Sequence, residues 1–137
     1  MKFTTLTGRV KYKNISNRKI KWDKPSRSKM QTTVKNFLAP FWEYDHVYEE
    51  MPVLGTRNTL DIVNITKGIA IEVHGAQHSK FNPFFHRTRN DFRSQLERDM
   101  SKEKWCEINN LKYVDIYEKD LKLLSKEWFL ETFSINL

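Results

Sequence analysis

The sequence predicts an α/β fold in which a mixed central sheet is flanked by helices and preceded by a basic N-terminal arm. Two β-branched runs, 59–65 and 68–74, alternate in the way that half-buried strands do, and Thr66-Lys67 joins them as a hairpin. Stretches with helical periodicity lie on both sides of this hairpin. The chain has 137 residues, 39% of them hydrophobic, which suits one domain with a packed core.

The predicted elements follow the order α-β-β-β-α-β-α, which implies helices packed against a mixed sheet. The boundaries, in chain order, are a helix from Ser26 or Ser28 to about Phe41, an extended segment at 46–53, strands at 59–65 and 68–74, a loop at 75–88, a helix at 89–108, a strand at 112–117 and a helix at 121–133. We divide the chain into a basic arm, 1–25, and a domain, 26–137.

The basic arm carries most of the net charge. Residues 1–29 hold ten Lys or Arg and one acid, a charge of +9, whereas the remainder has 14 basic and 16 acidic residues, a charge of −2. Such an arm suits a phosphate backbone, although a solvated, partly ordered tail has the same composition. The expected DNA contacts are Lys11, Lys13, Lys19 and Lys21. Residues 9–22 alternate around Asn14–Asn17, which predicts a small hairpin there.

Several classes of protein are disfavoured by composition. The single cysteine, Cys106, excludes an intrachain disulfide and a zinc site that needs several thiolates. No apolar run approaches the roughly 18 residues of a membrane span, and the first residues lack the apolar core of a signal peptide. We therefore expect an intracellular protein without a membrane partner.

Acidic and imidazole side chains coincide on the predicted hairpin. Ala70, Glu72 and His74 share one face of their strand, and Asp61 lies on the neighbouring strand. Two carboxylates that converge from adjacent strands are suitable ligands for a hard cation such as Mg²⁺, with Mn²⁺ as a substitute. Alternatively, Asp61 and Glu72 are solvent-facing residues of a half-exposed hairpin.

The spacing of these residues resembles a known nuclease motif. Asp61, ten residues, and then Glu72-Val73-His74 resemble the core of the PD-(D/E)XK, or restriction-endonuclease-like, family, with His74 in the usual lysine position. The segment IAIEVHGAQH resembles IEVDGxQH of restriction-like nucleases and VHGCFWH of very-short-patch mismatch endonucleases. In the latter family a metal-binding Asp also precedes the catalytic His by thirteen residues, the separation of Asp61 and His74.

The resemblance implies a metal-dependent DNA endonuclease of phage, homing or repair type. It does not extend to the structural zinc of the mismatch-repair members, which needs several cysteines, or to their aromatic wedge, which Ala76-Gln77 replaces. The rival hypotheses are a junction or flap nuclease and a non-catalytic nucleic-acid-binding module on the same fold. Either a monomer or a homodimer is compatible with the sequence.

The expected roles follow from side-chain chemistry. Asp61 would ligate the metal, and Glu72 would be a second ligand or would orient the attacking water. His74 would hold that water or stabilise the phosphate, and His78 is a candidate general base or acid, or else a surface loop residue. Of Glu49 and Glu50 only one can face the site, and we prefer Glu50.

Two further segments carry candidates. On the helix at 89–108 a stripe of Phe92, Leu96, Asp99, Glu103 and Cys106 is predicted to face the sheet and to leave Trp105 off it. Asp99 there would need a metal or a basic partner. In the loop, Lys80, Phe81 and Arg87 would contact DNA, although its aromatic residues could instead pack on the core.

Overall fold

The computed structural model describes residues 1–75 and 89–137, with side chains in the second range from residue 91 onward. The elements are β1 (Lys2–Thr4), β2 (Val10–Tyr12), α1 (Lys29–Trp42), β3 (Val47–Pro52), β4 (Thr59–Asn64), β5 (Ile69–His74), α2 (Arg89–Ile108), β6 (Lys112–Tyr117) and α3 (Lys126–Phe133). The prediction of a mixed α/β fold, with helices on a mixed sheet, is confirmed.

The main sheet has four strands in the order β3-β4-β5-β6. β3, β4 and β5 form an antiparallel meander, and the β4–β5 hairpin has the predicted pairing, with Ile62 opposite Ile71. The chain then passes through α2 and returns as β6, which runs parallel to β5 with Glu72 opposite Asp115 and His74 opposite Tyr117. The strands β4, β5 and β6 therefore lie side by side, and each carries an acidic or imidazole side chain.

The two faces of the sheet have separate cores. One face packs against α1 and α3 through a cluster of buried residues that includes Val34, Leu38, Trp42, Ile62, Ile71, Ile116 and Phe129. The other packs against the N-terminal segment and α2 through Phe3, Met51, Leu60, Val63, Trp105 and Cys106. The predicted alternation of β5 is confirmed, because Ile69 and Ile71 lie in the first cluster and Ala70 in the second.

Side-chain caps decide where two of the helices begin. The predicted start at Ser28 is confirmed, since its hydroxyl accepts a hydrogen bond from Gln31 N at 3.1 Å. The predicted continuous helix at 121–133 is wrong. Residues Glu118–Leu123 form a separate 3₁₀ helix, and α3 begins only after Ser125, whose hydroxyl accepts a hydrogen bond from Trp128 N at 3.0 Å.

The N-terminal hairpin lies earlier in the chain than predicted. β1 pairs with β2, Lys2 opposite Tyr12, around a turn in which Gly8 adopts a φ of +87°, a conformation that glycine reaches at little cost. The predicted turn at Asn14–Asn17 is wrong because Asn14 Oδ1 accepts from Ser16 N at 2.9 Å and starts a 3₁₀ turn instead.

Residues 1–25 pack against the rest of the domain. Phe3 contacts Trp105 with ring centroids 5.1 Å apart, and the Asn109 side chain both donates to Thr4 O and accepts from Thr4 N at 2.8 Å. All ten basic side chains of residues 1–29 remain exposed. The positive charge therefore lies on a folded surface.

The inward face of α2 differs from the predicted stripe. Trp105 is fully buried, whereas Leu96 is 40% exposed and Glu103 is exposed. The inner positions are Gln95, Asp99, Lys102 and Cys106, which are also spaced by three and four residues. Polar residues dominate this stripe, so apolar periodicity placed Asp99 and Cys106 correctly but not Leu96 and Glu103. Neither α2 nor any other helix in the described ranges is long and apolar enough to cross a membrane.

Candidate active site

The candidate site forms where β4 and β5 diverge. Backbone pairing between these strands extends only from Asn64↔Ile69 to Ile62↔Ile71. One residue further along, the Asp61 side chain takes the place of a backbone hydrogen-bond acceptor. Its Oδ2 accepts a hydrogen bond from Val73 N at 2.9 Å. This bond holds the Asp61 carboxylate between the two strands, close to Glu72.

An irregularity in β3 lies directly across from Asp61. Glu49 pairs with Ile62 and Met51 with Leu60, but Glu50 between them is unpaired and adopts a φ of +50°. A left-handed conformation is uncommon for a residue other than glycine and locally reorients a strand. As a result Glu49 faces α1 while Met51 joins the opposite core.

Glu72 is a buried acid with an altered proton affinity. Its side chain is 3% exposed. Burial, hydrogen bonding to Asp61 and repulsion by Asp61 raise its pKa from 4.5 to about 9, against the opposing effect of Lys102. Lys102 Nζ lies 2.7 Å from Glu72 Oε1. Among the described residues, the site therefore contains two adjacent acids with one ammonium group, that of Lys102, in contact.

His74 forms a second unit beside this pair. Its side chain is 5% exposed, and Nε2 lies 2.5 Å from Asp115 Oδ1. The Tyr117 ring stacks on the imidazole with centroids 5.2 Å apart. Since β5 and β6 are parallel and in register, Glu72 and His74 lie opposite Asp115 and Tyr117. A carboxylate at this distance fixes the orientation of the imidazole ring.

These groups surround a small cavity of about 190 Å³. It is lined by Arg27, Ser28, Met30, Gln31, Asp61, Glu72, Val73, His74, Gly75, Asp99 and Lys102. Thus the start of α1 forms one wall, α2 another, and the diverging strands the floor. A second cavity of about 230 Å³ lies beyond His74 and Asp99, which line both, and it reaches Asp115, Tyr113 and Tyr117.

The predicted site residues have different environments. Asp61, Glu72, His74 and Asp99 line the same cavity. Glu49 instead accepts hydrogen bonds from Ser26 Oγ at 2.6 Å and Gln31 Nε2 at 2.9 Å and pairs with Lys35 at 2.7 Å. The structure thus brings together four of the predicted residues and directs Glu49 toward α1.

Glu50 lies beside the cavity rim. Its Oε2 accepts from Thr59 Oγ1 at 3.2 Å and faces Arg27 Nη1 at 3.4 Å. Arg27 in turn lines the cavity with its side chain 77% exposed. Glu50 is therefore connected to the site through Arg27. His78, Lys80, Phe81 and Arg87 lie outside the described residues, and Lys11, Lys13, Lys19 and Lys21 are exposed.

Sequence reasoning missed Lys102 and Asp115. A signal existed for Asp115, because Tyr113, Asp115 and Tyr117 alternate with the buried Val114 and Ile116. Lys102 was hidden by the wrong choice of stripe on α2. Within residues 1–75 and 89–137, no group of three or more His, Cys, Asp or Glu side chains is arranged to hold a metal, so the candidate ligand set there is the pair Asp61 and Glu72.

Comparison with known proteins finds similarity to two viral proteins. Over 80 residues, 58% of this chain, it is 31% identical to "Uncharacterized protein 033L" of Invertebrate iridescent virus 3, of which it covers 41%. Over 48 residues, 35% of this chain, it is 40% identical to "Uncharacterized protein 307L" of Invertebrate iridescent virus 6, of which it covers 24%. The chain thus matches less than half the length of either relative. No family model and no solved structure matches it.

Proposed function

We propose that the protein is a metal-dependent DNA endonuclease with a restriction-endonuclease-like core, which hydrolyses phosphodiester bonds in the cavity between β4, β5, α1 and α2. The observation that carries this proposal is the contact between Asp61 and the buried Glu72 at the end of a hairpin, beside the His74–Asp115 pair. The element order and the parallel return of β6 after α2 support the same core.

The two carboxyl groups fit a divalent cation. Burial first, and then the neighbouring Asp61, raise the pKa of Glu72 to about 9, so the site disfavours a charged Glu72 unless a cation lies beside it. Mg²⁺ commonly binds through one or two carboxylates and keeps several waters, and Asp61 and Glu72 would hold it, with Mn²⁺ as a substitute. When bound, such an ion supplies charge for the phosphate and a water of lowered pKa.

The remaining groups suit phosphodiester hydrolysis. His74, held by Asp115 at 2.5 Å, is positioned to hold the attacking water and to accept or return a proton. Arg27 is exposed at the mouth of the cavity, where its guanidinium can bind a substrate phosphate. His74 would therefore act on the attacking water, and Arg27 would bind the phosphate of the same scissile bond.

The charge distribution supports DNA as the partner. The ten basic side chains of residues 1–29 are all exposed, and four of them, Lys2, Arg9, Lys11 and Lys13, belong to or flank the β1–β2 ribbon. A folded basic surface can contact several phosphates at once and release their counterions. This surface gives the enzyme sequence-independent affinity, while the cavity carries the chemistry.

The direct test is Asp61→Asn in a plasmid-nicking assay with Mg²⁺, Mn²⁺ or EDTA. The substitution preserves shape and removes a ligating charge, so we expect the nicking rate to fall by at least about a thousandfold while DNA binding stays nearly unchanged. Asp23→Asn, at an exposed position, is the matched control and should nick like the parent protein. If Asp61→Asn nicks as fast as the parent, the site is misassigned and the binding-module hypothesis is favoured.

A further inference from the structure

Lys102 is the cation that the structure itself supplies to the acidic pair. It lies on the inner stripe of α2, one turn after Asp99, and both residues line the cavity. Its side chain is 18% exposed, and Nζ is 2.7 Å from Glu72 Oε1. By contrast, Lys104 on the same helix is exposed. The orientation of α2 therefore selects Lys102 for the site.

The Lys102 ammonium and a divalent ion cannot occupy the same position next to Glu72 Oε1 at the same time. A ligated ion lies about 2.0–2.6 Å from a carboxylate oxygen, and the ammonium already occupies a position 2.7 Å from Oε1. Positive charges held this close in a partly buried cavity repel strongly. A divalent ion that ligates Glu72 Oε1 must therefore displace the Lys102 ammonium, and the flexible four-carbon side chain permits that movement.

The displaced ammonium would remain in a cavity whose other acids are engaged. The other acids that line it are Asp61, which would ligate the same ion, and Asp99, which already interacts with another group. The anion that then enters the cavity is the substrate phosphate, whose non-bridging oxygens accept hydrogen bonds from an ammonium and gain charge during hydrolysis.

We propose, on the basis of the nuclease function above, that Lys102 is a catalytic residue with two alternating contacts. It contacts Glu72 in the resting site, and it moves to the substrate phosphate when Glu72 takes up a divalent cation. Lys102 thus competes with the cation for Glu72 and assists the reaction afterwards. The two contacts predict opposite effects of its removal on cation affinity and on rate.

The test compares Lys102→Met with Lys104→Met in two assays. Mn²⁺ binding is measured without DNA by titration calorimetry, and plasmid nicking is measured at saturating Mn²⁺. For Lys102→Met we expect Mn²⁺ affinity to rise by roughly threefold to tenfold, because the competing charge is gone. We expect its nicking rate to fall by about a hundredfold, because a charge at the phosphate is lost. Lys104→Met should match the parent protein in both assays.

A purely structural role for Lys102 would give a different pattern. If Lys102→Met binds Mn²⁺ more weakly than the parent, or binds it equally and nicks at the parental rate, the proposal is overturned. Should Lys102→Met fail to fold, Lys102→Arg keeps the charge, and it must then leave Mn²⁺ affinity unchanged or lower and reduce nicking. Failure of the proposed nuclease function looks different: the parent protein itself would not nick DNA, whatever the Mn²⁺ titrations show.

Discussion

The described part of the chain contains two lysine–glutamate pairs with the same 2.7 Å separation and different surroundings. In the first, Lys35 is 1% exposed and its ammonium contacts Glu49 and the carbonyl of Lys24. In the second, Lys102 contacts Glu72 beside a cavity. Removing two charges from water is costly unless the remaining hydrogen-bonding capacity is satisfied, and the two pairs differ in this respect.

Both members of the Lys35–Glu49 pair have additional hydrogen-bond partners. Glu49 also accepts from Ser26 Oγ and Gln31 Nε2, so its charge is fully compensated within α1 and the segment before it. These contacts connect the start of α1 to β3. The pair therefore has the character of a structural element, and Gln31, which lines the cavity with its own side chain, is fixed by it.

The Lys102–Glu72 pair has a second acid beside it. Asp61 adjoins Glu72 and contributes to raising its pKa to about 9 despite Lys102. Under the proposed function, two adjacent acids beside a cavity would favour binding of a cation. The same kind of ion pair would then be structural where its carboxylate has its full set of partners and functional where a second acid lies beside it.

The largest expected effect comes from breaking the Lys35–Glu49 pair. Lys35→Met leaves Glu49, whose side chain is only 16% exposed, without its counter-charge, which is expected to cost about 3–5 kcal/mol of unfolding free energy. Since the melting temperature of a domain this size shifts by roughly 3 °C per kcal/mol, it should fall by about 10–15 °C. Thermal unfolding followed by circular dichroism measures this. Lys104→Met is the control and should lie within about 0.5 kcal/mol of the parent; a similarly small change for Lys35→Met would contradict a structural role.

A second prediction separates the two regions by activity. His74→Ala removes the imidazole held by Asp115 and should reduce plasmid nicking by about a hundredfold, equivalent to about 2.7 kcal/mol, at an unchanged metal requirement. Its stability should fall less than that of Lys35→Met, because Asp115 is 36% exposed and can be solvated, although the stacking of the imidazole on Tyr117 is lost. His46→Ala, at an exposed position, is the control. A nicking rate equal to that of the parent would remove His74 from the mechanism.

His74→Lys sharpens this prediction. If His74 stabilises charge on the phosphate, the lysine variant should keep partial activity. If His74 transfers a proton, activity should be as low as in His74→Ala, because a lysine with an ordinary pKa of about 10.4 is a poor base at neutral pH.

The central part of the fold was predictable because its signals are local. β4 and β5 are adjacent in sequence and alternate cleanly, so pairing them brings Asp61 to Glu72. No local signal places β6 relative to β5, because α2 and a long connection separate them. Asp115 was therefore in a correctly predicted strand but could not be assigned to His74.

The two lysines were hidden for different physical reasons. Lys35 and Glu49 are 14 residues apart on a helix and a strand, and only their packing brings the charges together. Lys102 lies on a helix whose inner face is mostly polar, so the hydrophobic pattern predicted the wrong orientation. Trp105 is buried there because Phe3 of the N-terminal segment covers it, a contact between distant parts of the chain.

The smallest expected effect is a pH-dependent gain in stability for Glu72→Gln. It is also the effect most specific to the Lys102–Glu72 pair. The pKa of Glu72 is raised from 4.5 to about 9 in the folded protein. A carboxyl group shifted upward contributes its full stabilisation below its unfolded pKa and loses it as the pH rises through the folded pKa. The parent protein should therefore weaken between pH 4.5 and pH 9 relative to a variant that has no proton to lose at this position.

In EDTA we expect Glu72→Gln and the parent to unfold alike near pH 4.5, and the variant to be the more stable by about 2 kcal/mol near pH 9. That figure is well below the full shift, at about 1.4 kcal/mol per pKa unit, because a buried site relaxes and admits water when its carboxyl group ionises. Urea unfolding across this pH range measures the difference, with Glu107→Gln, exposed on α2, as control. Added Mg²⁺ should reverse the order, since the parent alone can bind it. A parent that is more stable than Glu72→Gln at pH 9 without metal would show that Glu72, like Glu49, is already fully compensated by its lysine.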